Sequence, residues 1–109
     1  MIQDGLYKVD FQTQIGAGSG VVALRDGEVR GGDSGMFYVG SYRESGDEVS
    51  AEVVADTHSS IPEMHSVFGA DKVTISLRGR SNGDAAQLSG SAKEAPGVMF
   101  QAILTRLSD

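Results

Sequence analysis

The sequence predicts an all-β fold, an antiparallel up-and-down barrel of about eight strands. Three observations lead there. Apolar and polar residues alternate with a period of two along most of the chain, which places them on opposite faces of a strand. Turn-forming dipeptides interrupt the alternation: Asp26-Gly27, Ser45-Gly46, Asn82-Gly83 and Pro96-Gly97. Fifteen glycines and two prolines suit strands joined by tight turns better than helices.

The elements follow in order. Tyr7, Val9 and Phe11 share one face of a first strand, with Lys8, Asp10 and Gln12 on the other. In the second, Gly16, Gly18 and Gly20 precede Val22 and Leu24, which alternate with Val21 and Ala23. Three same-face glycines let that strand coil sharply or admit another element closely. After the Asp26-Gly27 turn a short strand over 28–30 runs into Gly31-Gly32-Asp33, where the backbone can bend. Phe37 and Val39 then oppose Met36 and Tyr38. Val49, Ala51, Val53 and Ala55 make one small apolar face. Ser60 and Glu63 form a capping box, Pro62 fits the first turn, and Ile61, Met64, Val67 and Phe68 share one helical face. This predicts one short helix over 61–68, plugging an open end of the barrel. Val73, Ile75 and Leu77 begin a further strand, and Ala86, Leu88, Gly90 and Ala92 the next. Phe100, Ala102 and Leu104 close the chain, opposite Met99, Ile103 and Leu107.

A chain of 109 residues predicts a single domain over 1–109. At that size roughly 60–70% of the unfolded surface can be buried, enough for one core. Without cysteine there is no disulfide, thiolate metal site or thiol nucleophile, which fits a reducing cytoplasm. No apolar run approaches the ~20 residues of a membrane span, and no basic-then-apolar signal opens the chain. A soluble cytoplasmic protein is expected. The formal charge of −6 disfavours direct nucleic-acid binding, which depends on basic groups, and leaves a basic protein partner open.

No cluster of residues announces a chemistry. His58 and His65 stand seven apart, without a recognised metal spacing, so no metal site is expected. There is no G-x-S-x-G elbow, and the glycine run lacks the Lys-Ser/Thr of a phosphate loop. Asp10, Asp33 and Glu52 are the carboxylates to weigh as a pair, but alternation sets Asp10 and Glu52 on polar faces. No enzymatic activity and no cofactor are expected. Glu44, Asp47 and Glu48 flank the Ser45-Gly46 turn beside Arg43. Their carboxylates are expected to project into solvent with little pairing beyond Arg43, as a hairpin tip that docks a basic surface. Ala51, Ala55, Ala86, Gly90 and Ala102 leave space inside a barrel, whereas Phe11, Phe37, Phe68 and Phe100 can fill it; both readings stay open. With Phe100, Ala102 and Leu104 inside, Met99, Ile103 and Leu107 form an outer apolar stripe, a surface for a homodimer or an apolar groove.

One resemblance joins these features. The DGLY opening at Asp4–Tyr7 comes first, then the glycine strand at Gly16–Leu24, then the turn and GGD at Asp26–Asp33. Tyr38 with Gly40, the tip at Glu44–Glu48, and His58 followed by Ile61-Pro62 complete the order. From Asp4 to about Leu77 the chain resembles the GrlR-type negative regulators of bacterial type III secretion. The resemblance implies a lipocalin-like barrel that dimerises and sequesters a basic helix-turn-helix transcriptional activator. It also implies that this capture uses a run of alternating Glu and Asp, which maps onto Glu44, Asp47 and Glu48; here Ser45 and Gly46 replace the middle acids. The expectation is therefore a non-enzymatic, cytoplasmic, homodimeric regulatory protein that binds neither nucleic acid nor membrane. The alternative is a carrier of a small apolar ligand in the barrel interior.

Overall fold

Eight strands follow one another in chain order: β1 (Gly5–Thr13), β2 (Gly16–Arg25), β3 (Glu28–Gly32), β4 (Met36–Ser45), β5 (Glu48–Thr57), β6 (Lys72–Ser81), β7 (Ala85–Ala92) and β8 (Ala95–Ser108). The computed structural model describes residues 2–14, 16–59 and 72–109. Each strand pairs antiparallel with the next, and β8 pairs antiparallel with β1, so the sheet closes into a barrel. This is the up-and-down, eight-stranded architecture expected from the alternation. Among the described residues there is no helix; the helix expected over 61–68 lies outside them. None of the described helices is long and apolar enough to cross a membrane, since there is none.

The turns show how local chemistry sets the register. Asp26 and Gly27 both have positive φ, 53° and 79°, the backbone of a two-residue turn whose twist matches the flanking strands. Asn82 accepts the Ala85 N–H through its side-chain oxygen at 3.2 Å and shapes the β6–β7 connection. Pro96-Gly97 is not the turn expected there. The chain reverses at Lys93-Glu94, and Pro96-Gly97 falls within β8. Ala95 pairs with Ala92 and Met99 with Ser91, so residues 96–98 bulge out between adjacent β7 positions. The Gln14 side chain clamps this bulge: its Nε2 donates to the Gly97 carbonyl at 3.0 Å and its Oε1 accepts the Met99 N–H at 2.8 Å. Proline is tolerated because the bulge asks no ladder bond of it.

Alternation fills the interior. Tyr7, Val9, Val22, Leu24, Val29, Val49 and Ala55 are buried, with Val73, Ile75, Ala86, Leu88, Phe100, Ala102 and Leu104 completing the ring. The small faces of β5, β7 and β8 point inward as expected. The β2 glycines also face inward, Gly18 opposite Phe11 and Gly20 opposite Val9. At Gly20 the space is taken: a Cβ there would lie 2.8 Å from the Gly32 carbonyl oxygen and 3.2 Å from both Cε2 and the hydroxyl oxygen of Tyr38, whose ring crosses above it. Phe11 meets Tyr38 edge to face with centroids 5.6 Å apart. Phe37 does not fill the barrel as proposed. It stands on the outer face, 40% exposed, because β4 turns Met36 and Tyr38 inward. Phe68 lies outside the described residues.

Candidate functional site

At one end of the barrel the start of β1, the β4–β5 tip, the β6–β7 turn and the end of β8 converge. Residues 2–4 cross this end as a strap. Ile2 is buried and lines the interior. Its N–H donates to Glu44 Oε2 at 2.7 Å. The Gln3 N–H donates to the Gly83 carbonyl at 3.2 Å, and the buried Tyr7 hydroxyl donates to the Gln3 carbonyl at 2.6 Å. The Arg106 guanidinium donates twice to the Asp4 carbonyl, at 3.3 and 3.0 Å, and the Tyr42 hydroxyl donates to Asp4 Oδ1 at 3.3 Å.

This strap corrects the reading of the acidic tip. Glu44 does not project into solvent: strand alternation carries Tyr38, Gly40, Tyr42 and Glu44 to the inner side, where Glu44 is half-buried and holds Ile2. Asp47 and Glu48 do lie outside, but their partner is Arg80 on β6, not Arg43. Arg80 reaches Asp47 Oδ2 at 3.0 Å and Glu48 Oε1 at 3.9 Å. The three acids are thus split between a structural carboxylate and a two-acid cluster bridged by an arginine. Glu44→Ala is expected to cost about 1–2 kcal/mol, because the Ile2 N–H loses a charged acceptor. Asp47→Ala with Glu48→Ala should cost under ~1 kcal/mol, since their ion pairs are exposed. Chemical denaturation of the two variants checks this difference; equal losses would place Glu44 in solvent.

Met99, Ile103 and Leu107 stand outward on β8, 58%, 49% and 54% exposed. The three are exposed on one face as expected, but Gln101 and Thr105 stand between them there, so the stripe is interrupted by polar residues.

The β3–β4 turn lies at the other end. Asp33 Oδ1 accepts the Gly35 and Met36 N–H groups at 2.9 and 2.8 Å, and its Oδ2 accepts the Tyr38 hydroxyl. Both its oxygens are thus engaged in holding the β3–β4 turn. His58 Nε2 lies 2.9 Å from the Asp33 carbonyl, which can only accept, so Nε2 carries a proton and donates; Nδ1 lies 2.7 Å from the Ser59 hydroxyl. Asp10 binds Ser19 and Lys8 on the outer face. Among the described residues no three metal-ligating side chains come together. His65 lies outside them.

All three tyrosines are held neutral. Burial raises the phenol of Tyr7 above 10.0, helped by the Asp84 charge, and raises that of Tyr42, helped by Asp4. Burial raises Tyr38 furthest, followed by its bond to the Asp33 carboxylate. The folded-state values therefore exceed the unfolded ones. The resulting stabilisation is whole below the unfolded value near pH 10 and is lost as pH climbs beyond it. Stability should fall above about pH 10, and phenolate absorbance of the native protein should lag that of the denatured chain. Coincident titration curves would contradict the burial of these hydroxyls.

Among the described residues, an apolar cavity of about 80 Å³ lies between the two ends, bounded by Ile2, Phe11, Tyr38, Tyr42 and Phe100 among others. Ligand sites of drug size occupy ~300–1,000 Å³. Fold and site together define a closed, sequentially wound β-barrel with a nearly filled interior and three large apolar side chains exposed on its last strand. No protein-family model matches the chain, and no curated protein matches its sequence.

Proposed function

We propose that the chain is a non-enzymatic binding protein that works through the outside of its barrel. The observation that carries this reading is the pairing of a nearly filled interior with three large apolar side chains exposed on β8. Apolar groups on an outer strand are a surface for association. In this reading the protein is a cytoplasmic homodimer joined through Met99, Ile103 and Leu107. It is a regulator of the kind the GrlR-type resemblance implies, capturing a basic helix-turn-helix activator. Asp47 and Glu48 supply the acidic contact, and Glu44 supports it only by anchoring the strap.

The carrier reading is weaker because about 80 Å³ holds little more than a very small guest. Sedimentation tests the dimer. The wild type should sediment as a dimer, and Met99→Ser with Ile103→Ser and Leu107→Ser as a folded monomer. A wild type that stays monomeric at high concentration refutes it. Capture of a basic partner should weaken in the Asp47→Ala, Glu48→Ala variant, most at low salt, where charge steering is strongest. Unchanged capture removes those two residues from the function.

A further inference from the structure

The outer face of β4–β7 carries two arginines that the fold itself does not use. The register sets Arg43 opposite Ser50, Ser50 opposite Arg78, and Arg78 opposite Ser89, so the four form one row across four strands. The serines are short, and the arginines stand above them as walls. Two adjoining surface depressions, of about 470 and 620 Å³, share Arg43, Ser50 and Arg78. Among the described residues neither the Arg43 nor the Arg78 side chain makes a hydrogen bond or an ion pair, unlike that of Arg80 in the next row, which Asp47 and Glu48 hold.

We propose that this face is a docking groove for an extended acidic segment of a partner protein, with Arg43 and Arg78 binding its carboxylates. Strands two apart lie ~10 Å from each other, so the two guanidinium groups can take separate carboxylates or converge on one above Ser50. Guanidinium forks match carboxylates in two-point hydrogen bonds, and the serine hydroxyls can add donors. All four strands are paired on both sides, so the groove reads side chains rather than adding a strand. Glu52 lies diagonal to both arginines, opposite Ser41 and Ser76. It repels a multiply charged phosphate more than singly charged carboxylates. The groove is distinct from the β8 stripe; it abuts the Asp47 and Glu48 cluster, because Glu48 and its partner Arg80 line the second depression.

A labelled oligo-glutamate peptide, titrated with the full chain at low salt and followed by fluorescence anisotropy, tests the proposal. Binding should weaken at least about tenfold in the Arg43→Gln, Arg78→Gln variant. It should stay near wild type in Arg25→Gln, which matches one lost charge elsewhere, and an oligo-glutamine peptide should not bind. Both arginines are exposed, and circular dichroism confirms that the variants fold. Absence of binding to the wild type overturns the proposal, as does an unaffected double variant. So does displacement of the peptide by low inorganic phosphate, which would make the groove a phosphate site. Self-association that the arginine substitutions abolish would make it a contact between copies, and would overturn it too.

Discussion

Gly79→Ala is expected to destabilise the barrel severely, by about 3 kcal/mol or more. Gly79 faces inward on β6, where it pairs with Leu88 of β7. A Cβ at this position would collide with the Gln87 carbonyl and would sit 2.8 Å from the Leu88 Cα. Both obstacles are backbone, so no side chain can swing aside. The ladder between β6 and β7 would have to part, releasing hydrogen bonds along it. For a chain of this size the loss corresponds to a fall in Tm of roughly 10 °C or more. Gly97→Ala is the matched control, because nothing lies within 4 Å of its missing Cβ. It should remain within ~0.5 kcal/mol of wild type. Denaturant midpoints compare the two, and a Gly79→Ala protein as stable as the control would mean that β6 and β7 do not approach this closely.

Phe100→Ala should be comparably damaging, at about 3–5 kcal/mol. Phe100 is 2% exposed, lies opposite Gly90 on β7, and borders the central cavity. Removing the ring both forfeits its burial and joins its volume to space that is already empty. The enlarged void is apolar, so benzene should enter it and restore part of the loss by mass action. The wild type should gain little from benzene. A wild type stabilised strongly by a long-chain apolar compound would instead make the interior a ligand site and favour the carrier reading.

Legibility in the sequence followed how unequal the two faces of each strand are. On β5, Val49 to Ala55 alternate mostly with Ser50, Glu52 and Asp56, and only one face can be inside. The β8 stripe was readable for the same reason, once Phe100 and Leu104 were placed inward. On β4, Met36, Phe37, Tyr38 and Val39 are all apolar, and the pattern does not say which pair is buried. Gly20 of β2 leaves room for the Tyr38 ring, a contact between strands that periodicity along one strand cannot express. The inward turn of Glu44 was legible, since it keeps step with Tyr38 and Tyr42. Its charge pointed the other way, and its partner, the Ile2 N–H, is 42 residues distant. Arg80 is also remote from Asp47, 33 residues along the chain. Pro96-Gly97 had turn chemistry, but the Gln14 clamp that makes it a bulge belongs to the opposite end of the sequence.

The pairing of β1 with β8 has a consequence for biosynthesis. Val9 finds Leu104 and Phe11 finds Ala102, so the first strand completes its second set of backbone bonds only with the last. At ordinary translation speeds, on the order of ten seconds separate the two as they leave the ribosome. Throughout that interval the nascent sheet keeps an open β1 edge, with Leu6 beside it, able to recruit a strand from another chain. Closure is a long-range event that local contacts cannot speed, so the growing polypeptide is most vulnerable to misassembly just before β8 emerges. A chaperone that shields β1 during synthesis would raise the yield of native protein without touching the finished barrel.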